Sequence, residues 1–200
     1  MEKKNLIDFN LKELIEETRK PSANPGGGAI TSLVGNLGLN LILMMAKNDY
    51  KDERLNIKGK NLKKTFINYS KELEAIMQDD VDNVQSLVKS YKNPPKDSHI
   101  MDELIKKANI APNKTIEIMI IILNDCKFLL KHGKISTISD GEIGLRLIKE
   151  AIHSSFVNLL MNEKNLSEKK DRDYKSIIAY CNRIFDKNME IIRKREKAWD

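Results

Sequence analysis

The stretch NPGGGAITSLVGNLGLNLILMMAKND, residues 24–49, constrains this chain more than any other. From Ala29 to Ala46 no residue is charged, although 32 % of the chain is Asp, Glu, Lys or Arg. The run is about five helical turns long, which is short for a bilayer span. It also carries Thr31, Ser32, Asn36 and Asn40. A helix buried on most sides by other elements fits better than a membrane segment. The glycines in front of it have two readings. They turn the chain into the helix, or they keep backbone N–H groups bare for a ligand at the helix start.

The rest of the chain has to supply the elements that bury such a helix. Breakers fall at 21–28, at Asn93-Pro94-Pro95, at Pro112 and at Gly133, and between them apolar residues recur with helical spacing. The pattern predicts helices over Leu11–Lys20, Gly27–Lys47, Asn56–Lys92, Asp97–Asn109, Asn113–His132, Ser139–Asn162 and Ser167–Trp199. Gly133 is expected as a left-handed cap, and Ser139 with Glu142 as a capping box. Nothing alternates with period two. The expectation is an all-α, single-domain bundle over residues 1–200, with six or seven helices, two of them long.

Within the long third helix, Leu62, Phe66, Tyr69, Leu73 and Ile76 advance by fours and threes, and Leu87 and Tyr91 resume the rhythm. That is a heptad-like seam facing another helix. Seven residues beyond Leu73 the seam position is Asp80, whereas Asp79 and Asp82 point to solvent. Burying a carboxylate costs several kcal/mol unless it is paired, so Asp80 is a polar register device, a functional group, or a sign that the seam has drifted to the surface by that point. Later, Gly144, Ile148, Ala151, Ser155 and Asn158 share one narrow helix face, suited to close packing by a helix or a flat ligand. Asp140 falls in the first turn of that helix, where a carboxylate is favoured by the dipole.

Several chemistries have no support. The three histidines, His99, His132 and His153, lack metal-ligand spacing, and the glycine run lacks the Gly-Lys-Ser/Thr of a phosphate loop. No nucleophile elbow is present. The formal charge is +6, but the lysines are scattered among acids without interleaved aromatic residues, so neither nucleic acid nor membrane is expected as a partner. Part of the excess could attract an acidic small molecule. Cys126 and Cys181 form no C-x-x-C pair and the chain opens MEKKNLIDFN without an apolar leader, so a reduced, cytoplasmic protein is expected.

Three segments together resemble the cyclodeaminase/cyclohydrolase family, which includes the cyclodeaminase domain of formiminotransferase-cyclodeaminase and stand-alone methenyltetrahydrofolate cyclohydrolases. NPGGGAITSLVGNLG is similar to the family's Pro-Gly-Gly-Gly-Ser opening, and QDDVDNVQSLVKSYKNPP to its acidic segment with a Lys-Leu-Pro ending. ISDGEIGLRLIKEAIHSSFVNLLMN resembles its Ser-Asp helix. The resemblance implies Asp80 and Asp140 as catalytic carboxylates. It implies Pro25, Gly26, Gly27, Gly28, Lys92, Ser139 and Asn158 as substrate contacts, with Lys92 meeting an anionic tail. Two positions depart from the pattern: Ala29 stands where serine is usual, and Asn93 where leucine is usual.

What the resemblance implies is a helical homodimer acting on the carbon that bridges N-5 and N-10 of a reduced folate. The tetrahydrofolate derivative is the substrate, and no metal or other cofactor is expected. Both hydrolysis of methenyltetrahydrofolate and cyclodeamination of formiminotetrahydrofolate can run on tuned carboxylates. With no formiminotransferase portion in the sequence, the expectation leans to the cyclohydrolase. The alternative is a non-catalytic helical dimer that binds folate or a protein partner, favoured by Ala29. Gly27 is expected to present its bare backbone to the ligand.

Overall fold

The computed structural model describes residues 5–21, 25–167 and 173–198. Eight α-helices occur among them: α1 Leu11–Thr18, α2 Gly27–Met44, α3 Glu53–Lys92, α4 Ser98–Ala108, α5 Ile110–Asp125, α6 Lys127–His132, α7 Ile138–Glu163 and α8 Tyr174–Glu196. The described residues contain no strand. All seven expected helices are present, and the fifth is divided at Cys126.

The uncharged helix α2 is the axis of the molecule. It packs chiefly on α7 and α3, and also on α5. By length and mean hydropathy it could cross a membrane; here 44 % of it is buried, against α7, α3 and α5 of the same chain. Small residues set how closely α7 approaches. A Cβ on Gly38 would lie 2.8 Å from the Gly144 carbonyl oxygen, and one on Gly144 would lie 2.6 Å from that of Gly38. Gly35 faces Ala151, Gly38 faces Gly144, and Gly27 faces Asn158, so the two helices run antiparallel. From Gly144 to Ala151 the narrow face of α7 is thus filled by a helix. Polar residues on α2 are satisfied inside the bundle: Ser70 donates to Asn36 Oδ1 at 2.7 Å, and the Asn40 amide reaches Ser70 Oγ at 3.0 Å.

Phe66, Leu73 and Ile76 of the α3 seam lie in the main core. The seam ends as Tyr91 turns to solvent. Asp52 caps α3 by accepting the backbone N–H of Arg54 at 2.8 Å, which starts the helix earlier than its apolar pattern suggests.

Local expectations about breakers and caps need correction. Gly133 is extended, with φ −68° and ψ −177°, and is not a left-handed cap. Its lack of a side chain is required by space, since a Cβ there would meet the Met45 carbonyl oxygen and, at 2.9 Å, Met45 Cβ. Ser139 does not form a capping box. The helix starts at Ile138 after Thr137, and Glu142 instead accepts from Arg146 Nε at 2.9 Å. Pro112 sits in the first turn of α5, where no intrahelical N–H is needed, so it does not delay the helix. The last helix begins at Tyr174 rather than Ser167, and its expected end at Trp199 lies outside the described residues.

Candidate functional site

Asp80 lies on the buried side of α3, only 4 % exposed, while Asp79 and Asp82 face outward. Its carboxylate meets the first turn of α2. The backbone N–H of Ala29 donates to it, and a Cβ on Gly28 would stand 2.6 Å from Asp80 Cγ. Gly28 is therefore bare because the carboxylate occupies the space beside it. Gly27 is not demanding in this way. A Cβ there would make an ordinary 3.6 Å contact with Asn158 Oδ1, and no described glycine has a positive φ.

Two opposing influences act on Asp80. Burial raises its pKa and the Ala29 N–H lowers it by a smaller amount, so the net value rises from 3.8 to about 6. The start of α2 has no side-chain cap, since Gly26 occupies the N-cap position. The Asp80 carboxylate therefore supplies what a capping side chain would. A carboxyl group with a pKa this near neutrality can both accept and return a proton.

Asn158 reaches this end of α2 from the last third of α7. Among the described residues, its Nδ2 and the Oγ of Ser155 are buried without a hydrogen-bond partner. Ser155 is 1 % exposed and was not singled out as a contact by sequence, because a serine on a small-residue face reads as packing. Ser32 of α2 and Thr115 of α5 pair their hydroxyl groups at 2.8 Å, and Ser32 also approaches the Gly28 carbonyl at 3.2 Å. Polar groups from α2, α3, α5 and α7 thus surround the glycine turn.

The remaining expected contacts lie elsewhere. Ser139 and Asp140 occupy the opposite end of α7, about 27 Å from Asn158 at ~1.5 Å rise per residue. Gly141 there packs on Met45, just past the far end of α2. Lys92 is exposed in the last turn of α3, about 18 Å along the axis from Asp80. Asn93 follows it, also exposed. Ala29, where a hydroxyl was expected, has its side chain in a small apolar cluster with Leu6, Met77 and Val81. Only its backbone faces the carboxylate.

The fold and sequence have relatives. A formiminotetrahydrofolate cyclodeaminase from Thermotoga maritima has a similar crystal structure, with a TM-score of 0.81 at 19 % identity. The match covers 96 % of this chain and 98 % of that one. The formimidoyltransferase-cyclodeaminase of Rattus norvegicus is 23 % identical over 174 residues, and that of Gallus gallus 24 % identical over 179. These alignments cover 82 % and 84 % of the chain but only 32 % and 33 % of the relatives, so the chain spans about a third of their length. The sequence model of the formiminotransferase-cyclodeaminase family matches residues 10–179. With most of its length matched, the chain belongs to the formiminotransferase-cyclodeaminase family.

Proposed function

We propose that the chain is a folate one-carbon enzyme acting on the carbon between N-5 and N-10 of tetrahydrofolate, with Asp80 as its acid-base group. The observation that carries this reading is the buried Asp80 carboxyl, poised near neutral pH against bare helix-start backbone. The relatives are named for cyclodeamination, so we take that reaction first. In it, N-10 attacks the formimino carbon and a bond to the former imino nitrogen breaks. The formimino group reacts in its protonated C=NH2+ form. When Asp80 takes the proton released from N-10 and returns it to the nitrogen, ammonia therefore leaves and the positive charge stays on the methenyl bridge. Asn158 Nδ2, Ser155 Oγ and the N–H groups of Gly27 and Gly28 bind the polar edge of the substrate.

We further propose a homodimer formed through α2 and α7. Leu37 and Met44 of α2, with Ile143, Val157 and Met161 of α7, leave an apolar face exposed. A twofold copy on this face, with its axis perpendicular to the two antiparallel helices, would set the Ser139–Asp140 end of one chain near the Asp80 end of the other. Asp80 and Asp140 are too far apart to act together within one chain. A site using both draws one from each copy.

The test is turnover of 5-formiminotetrahydrofolate and of 5,10-methenyltetrahydrofolate by the purified chain. Ammonia release with appearance of the methenyl compound supports the first reading. Conversion of the methenyl compound to 10-formyltetrahydrofolate supports the hydrolytic one. Binding of folate without either conversion would reduce the protein to a folate-binding dimer.

A further inference from the structure

The excess positive charge has no role in the reading above, and part of it is concentrated at one place. A cleft of about 820 Å³ lies between the first half of α3 and the α5–α6 corner, within the ~300–1,000 Å³ range of small-molecule sites. Arg54, Lys58, Lys127 and Lys131 line it against a single carboxylate, Asp125. Among the described residues, ion pairs join Lys12 to Glu16, Lys20 to Glu17, Lys106 to Glu103 and Arg146 to Glu142. None includes these four cations.

Two of them, Lys131 and Lys58, act on His132, which closes the cleft. Burial, and then Lys131, Arg195, Lys47 and Lys58, hold its pKa below the usual histidine value, and every charge acting on it is positive. The cleft also has a wall of aromatic rings. The exposed His132 ring lies 5.1 Å from that of buried Phe128, tilted by 41°, Tyr50 backs Phe128 at 5.4 Å, and Lys58 Nζ lies 5.4 Å over the Phe128 ring. Ile57 adds an exposed apolar side chain to the lining. Uncompensated ammonium groups around one cavity suit an anion that concentrates two or more charges on neighbouring centres, as phosphate esters do. The ring wall suits a planar group.

We propose that this cleft binds a small phosphorylated molecule with a planar ring, of nucleotide size, through Lys58, Lys131 and His132. Lys58 is about 33 Å along α3 from Asp80, so the proposal does not depend on the folate chemistry.

Calorimetric titration of the full chain with ATP, with inorganic pyrophosphate and with a single-stranded oligonucleotide of about 20 nucleotides tests it. The expected result is ATP binding tighter than about 1 mM and tighter than pyrophosphate. Lys58→Glu with Lys131→Glu should weaken it at least tenfold, leaving helix content and turnover of folate substrates unchanged. Should the double variant misfold, Lys131→Glu alone, an exposed position, should weaken binding by at least about threefold. No ATP binding up to about 1 mM, or equal ATP binding by the charge-reversed chain, overturns the proposal. Pyrophosphate binding as tightly as ATP overturns the role of the ring wall. An oligonucleotide that displaces ATP and binds more tightly overturns the small-molecule assignment in favour of nucleic acid.

Discussion

Asp80 accepts the backbone N–H of Ala29, so the carboxylate of α3 closes the open start of α2. Gly28, immediately before Ala29, is the residue that lets the carboxyl come so near, because any Cβ there would overlap it. This relationship assigns different roles to neighbouring glycines, and the difference is measurable.

Gly28→Ala should cost about 1–3 kcal/mol of stability, the range for forcing a methyl group into a filled site, and should also lower turnover by displacing Asp80. Gly27→Ala, with ordinary space for its Cβ, should be within about 0.5 kcal/mol of the native chain. Urea unfolding of the two variants checks this. Equal losses at both positions would contradict the assignment.

Asp80 should make the fold weaker at neutral pH than in mild acid. Its folded-state pKa of about 6 exceeds the value of 3.8 expected when unfolded, so folding takes up a proton between them. The stabilising contribution is full below 3.8 and is lost as pH rises through about 6. Asp80→Asn keeps an oxygen for the Ala29 N–H and removes the buried charge. It should therefore stabilise the chain by up to about 3 kcal/mol at pH 7.5, at ~1.4 kcal/mol per pKa unit, with the gain shrinking toward pH 5. Unfolding curves of both proteins across that range test the sign. A variant less stable than the native chain at pH 7.5 would contradict it.

Assembly through α2 and α7 predicts that Leu37→Lys with Val157→Lys yields a monomer by light scattering while helix content is kept. If each site combines Asp80 from one copy with Asp140 from the other, inactive Asp80→Asn and Asp140→Asn chains should rescue each other after unfolding and refolding together. A statistical mixture gives about half mixed dimers, each with one intact site, and so about one quarter of native activity. No recovery would mean that the two carboxylates do not share a site across the dimer.

Much of this architecture is legible in sequence, for identifiable reasons. The helical period of Phe66, Leu73 and Ile76 marks the inward side of α3, and continuing it to Asp80 places that carboxylate in the interior. The uncharged run from Ala29 to Ala46 marks α2 as central. Gly133 and Ser139 misled because their residue types have common local uses, whereas here other contacts decide: Met45, distant in sequence, crowds Gly133, and Arg146, one turn along α7, takes Glu142. Pairing across space was hidden. No local pattern places Asn158 beside Gly27, or reveals that Ser155 is buried without a partner. The antiparallel run of α2 against α7, which separates Asp140 from Asp80, is likewise a property of the packing.

The central claim is that Asp80 performs proton transfer, and it is tested most directly by ammonia release from 5-formiminotetrahydrofolate by folded Asp80→Asn, followed against pH beside the native chain. The account predicts that the native rate falls about tenfold per pH unit below about 6, as Asp80 becomes protonated. It predicts that the variant loses ~10²–10⁴-fold in kcat with folate binding retained, and that what activity remains no longer shows this inflection. A variant that melts higher, binds folate and releases ammonia at the native rate would contradict it.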